Sequence, residues 1–362
     1  MVTILIFIAV LVVLIVGHEF GHFIAAKLSK MRVLEFGVGF PPKVFGKKVG
    51  DTEYTLNWIP FGGFVRIFGE DPKDVEDPSA FPNKPAILQA IVLFAGPFAN
   101  VVLAFVLTFG ALLIGAPSLI DEESIATSRD VQIVIGEVLP ESPAETAGLL
   151  AGDRIVSISE GGEVKSANSP SMISNVIAQS EEPLNITVVR DNEEAVFMVT
   201  PTQGIVSSDT EQLAIGISMA LIGTVSLPVH EAALTALVNT YKNFIFIGTA
   251  LITLLSDAFT LSADLSHLAG PIGIATLAGD AASFGFGALL TFSALLSINL
   301  AIINLLPFPA LDGGRLLFLA IEVVTRRRIP LQVAQTLNVL GFAFLILLML
   351  AVSVQDVFRL VG

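Results

Sequence analysis

The sequence predicts a polytopic α-helical membrane protein of about four transmembrane helices, with an inserted α+β domain and a membrane-associated β-hairpin. Three observations predict it. The 362 residues are 53% hydrophobic and only 14% charged, with a mean hydropathy of +0.79, a composition outside the range of ordinary soluble domains. Apolar runs of bilayer-crossing length recur near residues 2–28, 86–114, 286–306 and 331–355. Between the second and third runs the chain turns acidic: 21 acidic residues but only 5 basic ones lie from Pro117 to Gly285, within a net charge of −14. That acidity reads as a solvated domain surface and argues against nucleic acid as a partner. Cysteine is absent, so neither a disulfide nor a thiolate metal site is available.

The first run, from about residue 2 to 28, carries Gly17-His18-Glu19-Phe20-Gly21-His22 near its end. On a helix, His-Glu-x-x-His sets two imidazoles at i and i+4 on one face, where both can grip one Zn²⁺, with Glu19 placed to take a proton from water. Two histidines and a glutamate inside a membrane-length helix are costly to bury and mark function by default. The segment has no basic region ahead of it, and cleavage after its apolar core would cut beside the motif. It therefore reads as a first transmembrane helix rather than a signal peptide. From Met1 to His18 the helix rises roughly 25 Å, well across a bilayer core. Lys27, Lys30, Arg32, Lys43, Lys47, Lys48, Arg66, Lys73 and Lys84 follow, so the positive-inside rule makes that end cytoplasmic. His230 and His267, isolated in sequence, read as ordinary surface or interfacial histidines.

Residues 33–68 hold too much Gly and Pro for a helix. Segments 52–59 and 64–68 flank Pro60-Phe61-Gly62-Gly63 and read as a β-hairpin with an apolar tip. Two roles are open to it. Dipping toward the metal motif, Trp58, Phe61, Gly62, Gly63 and Phe64 would offer an edge strand to an extended substrate; alternatively, Trp58 and Phe61 anchor an interfacial hairpin. Residues 70–85, with four prolines, form a polar loop. The second helix, 86–114, contains Gly96-Pro97-Phe98-Ala99-Asn100, small residues that allow close helix approach and an amide suited to bonding across helices.

The chain divides as 1–116 (two transmembrane helices with the motif and hairpin), 117–128 (linker), 129–202 (inserted domain), 203–285 (linker and amphipathic helix) and 286–362 (two further transmembrane helices). Strand-like alternation at 131–135, 156–158, 184–190 and 195–200 surrounds a helical stretch at 171–179. The run Ser142-Pro143-Ala144 … Ala147-Gly148-Leu149 … Gly152-Asp153-Arg154-Ile155 resembles a single PDZ domain, a module that takes a peptide or a C-terminal segment along a strand edge. Within 232–255 only Phe244–Leu255 is strongly apolar, which favours an amphipathic helix at the outer surface over a span.

The third helix delivers Asn304-Leu305-Leu306-Pro307-Phe308-Pro309-Ala310-Leu311-Asp312-Gly313-Gly314. The prolines end the helix and the glycines permit sharp turns, which exposes a carboxylate at membrane depth. A catalytic zinc held by two histidines needs a third protein ligand and an open position, and Asp312 is the natural candidate. Arg326-Arg327-Arg328 again marks the cytoplasmic side, and the last helix returns outward.

Together, His-Glu-Phe-Gly-His (18–22), Gly-Pro-Phe-Ala-Asn (96–100), the inserted domain, Ala-Gly-Pro-Ile-Gly-Ile (269–274) and Asn304 to Gly313 resemble the site-2 protease family of intramembrane zinc metalloproteases, in its bacterial RseP-like form. The likeness spans essentially the whole chain, and one PDZ domain stands where some members carry two. The resemblance implies that His18, His22 and Asp312 bind zinc, Glu19 is the general base, and Asn304 helps hold substrate. It further implies that 52–68 is a membrane-reentrant β-loop. The implied substrates are single-pass membrane proteins already trimmed outside, of anti-sigma-factor or signal-peptide type. The implied location is the bacterial inner membrane, with the site toward the cytoplasm and the PDZ domain outside. A silent PDZ scaffold would be expected to lack a ligand or the base, and all four residues are present. A transporter would be expected to show an inverted repeat, and none is visible.

Overall fold

An unbroken apolar helix opens the chain in the computed structural model, which describes residues 2–69, 77, 80–190, 193–205, 212–260 and 269–361. The helices are α1 (Val2–Leu28), α2 (Ala86–Ile114), α3 (Pro143–Ala147), α4 (Pro170–Gln179), α5 (Val229–Phe259), α6 (Pro271–Ser283), α7 (Phe286–Leu305), α8 (Asp312–Thr325) and α9 (Leu331–Val361). The strands are β1 (Val33–Val49), β2 (Thr52–Ile67), β3 (Ala116–Leu119), β4 (Arg129–Val138), β5 (Arg154–Glu160), β6 (Glu163–Ser166), β7 (Leu184–Arg190), β8 (Glu193–Val199) and β9 (Ile217–Val225). One unit comprises Met1–Ile114 with Pro228–Gly362, and the other is Gly115–Leu227.

In the first unit, the buried positions of α1 are Val10, Leu14, His18, His22, Ala25 and Ala26. Steps of four and three along a helix return to one face, so both histidines lie on the packed side. That side meets α2 backbone to backbone. A Cβ added at Gly21 would overlap the Ala95 carbonyl oxygen and lie 2.6 Å from Ala99 Cβ, the close approach that small residues give membrane helices. The outward faces of these helices remain apolar and exposed, as at Leu5, Phe98 and Leu347, which suits a lipid environment.

By length and composition, five of the described helices could cross a membrane: Val2–Leu28, Ala86–Ile114, Val229–Asp257, Phe286–Leu305 and Gln332–Phe358. The sequence reading counts four. The additional one is α5, which continues unbroken through the more polar turns ahead of Phe244. Its Phe244, Ile247 and Leu251 pack on Ala104 of α2 and on Ala294, Ile298 and Ile302 of α7. The helix expected over 232–255 as an amphipathic surface element thus has its apolar part against two helices of the unit.

The expected hairpin takes a different form. Segments 52–59 and 64–68 do not pair with each other; the first part of β1 lies between them. Gly37 pairs with Phe64 on one side and with Thr55 on the other, while Val49 to Phe45 pair with Thr52 to Leu56. The tight turn is therefore at Gly50, whose φ of +62° a glycine adopts readily. The apolar stretch at 60–63 instead links two segments that share a partner strand. Alternation marks both segments as strands but does not say which strand lies between them. Lys27 Nζ donates to Thr52 Oγ1 at 2.7 Å, and that hydroxyl donates to Val33 O at 2.8 Å, fastening the end of α1 to this sheet. The loop expected at 70–85 lies largely outside the described residues.

At the far end, α9 carries a buried carboxylate, Asp356, which accepts the backbone N–H of Gly270 at 3.1 Å and of Gly273 at 2.9 Å. It thereby satisfies orphan donors at the start of α6. This gives the Ala269–Ile274 motif a structural reason, since a Cβ at Gly270 would sit 2.6 Å from the Asp356 oxygen.

The second unit is wider than the 129–202 assigned from sequence. Its sheet runs β3-β9-β4-β5-β7-β8, with β6 on β5, so residues from both expected linkers, in β3 and β9, join it. The β9–β4 pairing, Ile133 with Leu221 for example, joins segments far apart in the chain, which local alternation does not reveal. Ile135, Ile158, Ile173, Leu184, Ile186 and Val188 fill the core. Ser142 Oγ caps α3 by accepting the Glu145 N–H at 3.2 Å, and the Glu145 carboxylate returns to the Glu141 N–H, a reciprocal cap. Buried Asp153 accepts the Leu150 N–H at 2.9 Å and is gripped twice by Arg190.

Replacing Gly21 by valine is expected to destabilise the helical unit by at least the ~1–3 kcal/mol usual for overpacking, because a backbone carbonyl stands in the way. Thermal unfolding of the purified protein in detergent would show the fall in midpoint.

Candidate metal centre

Three side chains from distant parts of the chain converge in the first unit. His18 Nε2 and His22 Nε2 are 3.1 Å apart. Asp312 Oδ2 lies 3.0 Å from the first and 3.2 Å from the second. Among the described residues these form the one group of three or more potential ligands. Tetrahedral zinc with bonds near 2.0–2.1 Å places neighbouring donor atoms about 3.3 Å apart, close to the triangle seen.

Each donor is presented by its local structure. The helical i, i+4 spacing stacks the two imidazoles edge to face with centroids 4.8 Å apart. His22 Nδ1 is 2.8 Å from Val92 O. A carbonyl can only accept, so this contact keeps the proton on Nδ1 and leaves the Nε2 lone pair facing the triangle. Asp312 is the first residue of α8, with Leu311 at the cap position, and its carboxylate goes to the two histidines. The Pro307–Leu311 turn that delivers it has Ala310 at φ +78°. Asn338 Oδ1 on α9 accepts the Ala310 N–H at 3.1 Å. Cβ atoms at Gly313 or Gly314 would overlap the backbone oxygens of Leu306 and Phe308, so α8 can start beside its own loop only with glycine there.

Glu19 is half-buried one residue from His18 and interacts electrostatically with His22, His18 and Asp312. The strand segment at 63–66 runs beside it. A Cβ at Gly63 would lie 3.4 Å from Glu19 Cγ, and the Val65 backbone N–H interacts with the carboxylate. Of the other residues singled out from sequence, Phe64 stacks on Phe40 with centroids 6.5 Å apart, and Gly62, at φ +128°, packs on the same Phe40 ring. Trp58 is 71% exposed, and the side chain of Phe61 lies outside those described. Asn304 Nδ2 donates to Leu300 O at 2.9 Å within its own helix. His230 is a surface residue 3.7 Å from Glu231, and His267 lies outside the described residues.

Two residues of the second helix, read from sequence as a small packing residue and a cross-helix amide, lie against the two histidines. Gly96 provides the floor under both imidazoles: a Cβ would overlap His22 Nε2 and lie 2.8 Å from His18 Cε1. Asn100, fully buried, places Nδ2 3.4 Å from His18 Nδ1. Both belong to Gly-Pro-Phe-Ala-Asn, and their four-residue spacing, matching that of the histidines, was the available signal.

Comparison with known proteins is consistent in direction. Residues 6–348 match peptidase family M50. A Clostridium perfringens protein bearing a provisional zinc-metalloprotease name is 34% identical over 347 residues, 95% of each chain. The zinc metalloprotease RasP of Geobacillus kaustophilus is 31% identical, covering 97% of this chain and 96% of its own. The regulator of sigma-W protease RasP of Bacillus subtilis is 30% identical across 99% of both.

Gly96→Ala is expected to weaken zinc binding by at least about tenfold, the lower end of what disturbing a ligand's surroundings costs. Metal content after dialysis against a graded chelator series measures it.

Proposed function

The chain belongs to peptidase family M50, the site-2 protease family of zinc metalloproteases, and on that premise we propose that it cleaves peptide bonds within the transmembrane segments of single-pass membrane proteins already trimmed outside. The observation that carries this is the convergence of buried His18 and His22 with half-buried Asp312 beside Glu19, the histidines on a membrane-length helix.

His18 Nε2, His22 Nε2 and Asp312 Oδ2 would hold the zinc. When bound, zinc supplies a Lewis acid that polarises the scissile carbonyl and makes water acidic enough to attack near neutral pH. Glu19 takes the proton from the attacking water and passes it to the leaving nitrogen. A helical substrate hides its peptide groups in its own hydrogen bonds, so it must be drawn out first. The 63–67 segment beside Glu19 is placed to take an extended strand, and side-chain-free Gly63 leaves room there. Trp58, Phe61, Gly62 and Phe64 belong to the same stretch and would meet substrate or the lipid interface. For Asn304 to hold substrate, its amide must exchange the bond to Leu300 O.

The basic residues after α1 and the Arg326–Arg328 cluster after α8 support a site toward the cytoplasm of a bacterial cell membrane. The sigma-W regulator name of the Bacillus subtilis relative supports a substrate of anti-sigma-factor type.

We read the 115–227 unit as a PDZ domain on the outer side. Its sheet favours steric filtering over capture of a long peptide. β3 already pairs with β9 from Ile222 to Val225, and the Ile120 N–H donates to Leu221 O, which leaves only residues 217–220 of that edge for an incoming strand. The Ser171 hydroxyl and amide hold the Glu122 carboxyl below its usual range and tie this self-paired segment to α4.

Glu19→Gln is expected to keep its zinc and lose cleavage of a truncated single-pass substrate by about 10²-fold or more. Reconstituted cleavage assays with zinc quantified in parallel decide the matter. Equal inactivity of wild type and variant, with no zinc in either, would leave the silent scaffold as the better reading.

A further inference from the structure

We infer that Asn100 is a positioning residue for the zinc ligand His18, its side-chain oxygen accepting the His18 Nδ1–H so that Nε2 stays turned to the metal. This rests on the metalloprotease reading of the site. Imidazole valence sets the requirement: a neutral histidine that gives its Nε2 lone pair to a metal carries its proton on Nδ1, and that N–H needs an acceptor. His22 has one in Val92 O at 2.8 Å. For His18 the group in that place is the Asn100 amide, 3.4 Å from Nδ1.

As placed, the amide turns its NH₂ to the ring, which suits the opposite tautomer, with the proton on Nε2. The two ends of an amide have nearly the same shape, and their assignment follows the hydrogen-bond network. Nothing else in that network holds Asn100 in this orientation. Its Oδ1 is buried with no hydrogen-bond partner among the described residues. Turning the amide over breaks no other side-chain bond and brings the oxygen to Nδ1–H. The backbone is held independently, since Ser297 Oγ donates to Asn100 O at 2.8 Å. With Asn100 at 0% exposure, bulk water is no substitute acceptor, and a metal-ready His18 without the amide would leave a buried N–H unpaired.

The test measures the zinc dissociation constant of the full-length protein in detergent by chelator competition, alongside thermal midpoints of the metal-free forms. Asn100→Leu, close in volume but without an acceptor, is expected to bind zinc about 10–100-fold more weakly. Asn100→Asp, which can only accept, is expected to keep wild-type affinity or exceed it. Ser297→Ala, which loosens the same turn of α2 without touching the ring, is expected to lower the midpoint while leaving zinc affinity unchanged. If leucine prevents folding, Asn100→Ala gives the same comparison. Wild-type affinity in the leucine or alanine variant, or equal weakening in the aspartate variant, would overturn the assignment and leave the metalloprotease reading standing. Absence of zinc binding in the wild type would overturn both.

Discussion

Ionisable side chains inside an apolar helix bundle must be paired, and the helical unit is arranged around that requirement. A carboxylate and two imidazoles cannot sit singly at membrane depth without a large desolvation cost. Here Asp312 Oδ2 lies within 3.2 Å of both histidine Nε2 atoms. The constraint acts on the fold as much as on the chemistry. It requires α1 and the start of α8 to meet, although their partners are 294 residues apart. The prolines that end α7 and the glycines that open α8 make the meeting sterically possible.

The same constraint reaches the neighbours of the candidate ligands. The small residues of α2 let α1 approach until Gly21 touches the Ala95 carbonyl, and that proximity puts Gly96 under the imidazoles and Asn100 behind one of them. At one crossing, helix packing and imidazole orientation are therefore the same problem. A side chain at Gly96 would disturb the donor atoms directly, while the Val92 carbonyl and the Asn100 amide address the ring nitrogens that face away from the triangle. On the other side of Glu19 the strand segment at 63–66 passes close by, with side-chain-free Gly63 nearest the Glu19 stem.

The inserted unit obeys a different solvent. It has an aliphatic core, a reciprocal cap at Ser142 and a buried Asp153–Arg190 pair, devices of a water-exposed α+β domain. Its sheet uses residues on both sides of the expected boundaries, and β3 covers β9 from Ile222 to Val225. An edge paired within the chain is also protected against pairing with other chains.

The sequence by itself determined what depends on local geometry. Helical periodicity placed His18 and His22 on one face, continuous apolarity set α1 and α2 at the bounds seen, and Pro and Gly marked the break that exposes Asp312. Alternation marked strands of the inserted domain, and a helical pattern marked α4 at 170–179, for the same reason, since these periods act over a few residues. Tertiary structure alone decided which segments meet. It set the first part of β1 between two strands that sequence had paired as a hairpin, added β3 and β9 to the insert, and packed the apolar part of α5 onto α2 and α7. It also turned Asn100 toward His18. Each of these outcomes depends on contacts across tens to hundreds of residues, where the free energy of packing outweighs local preference and a one-dimensional pattern carries no record of the partner.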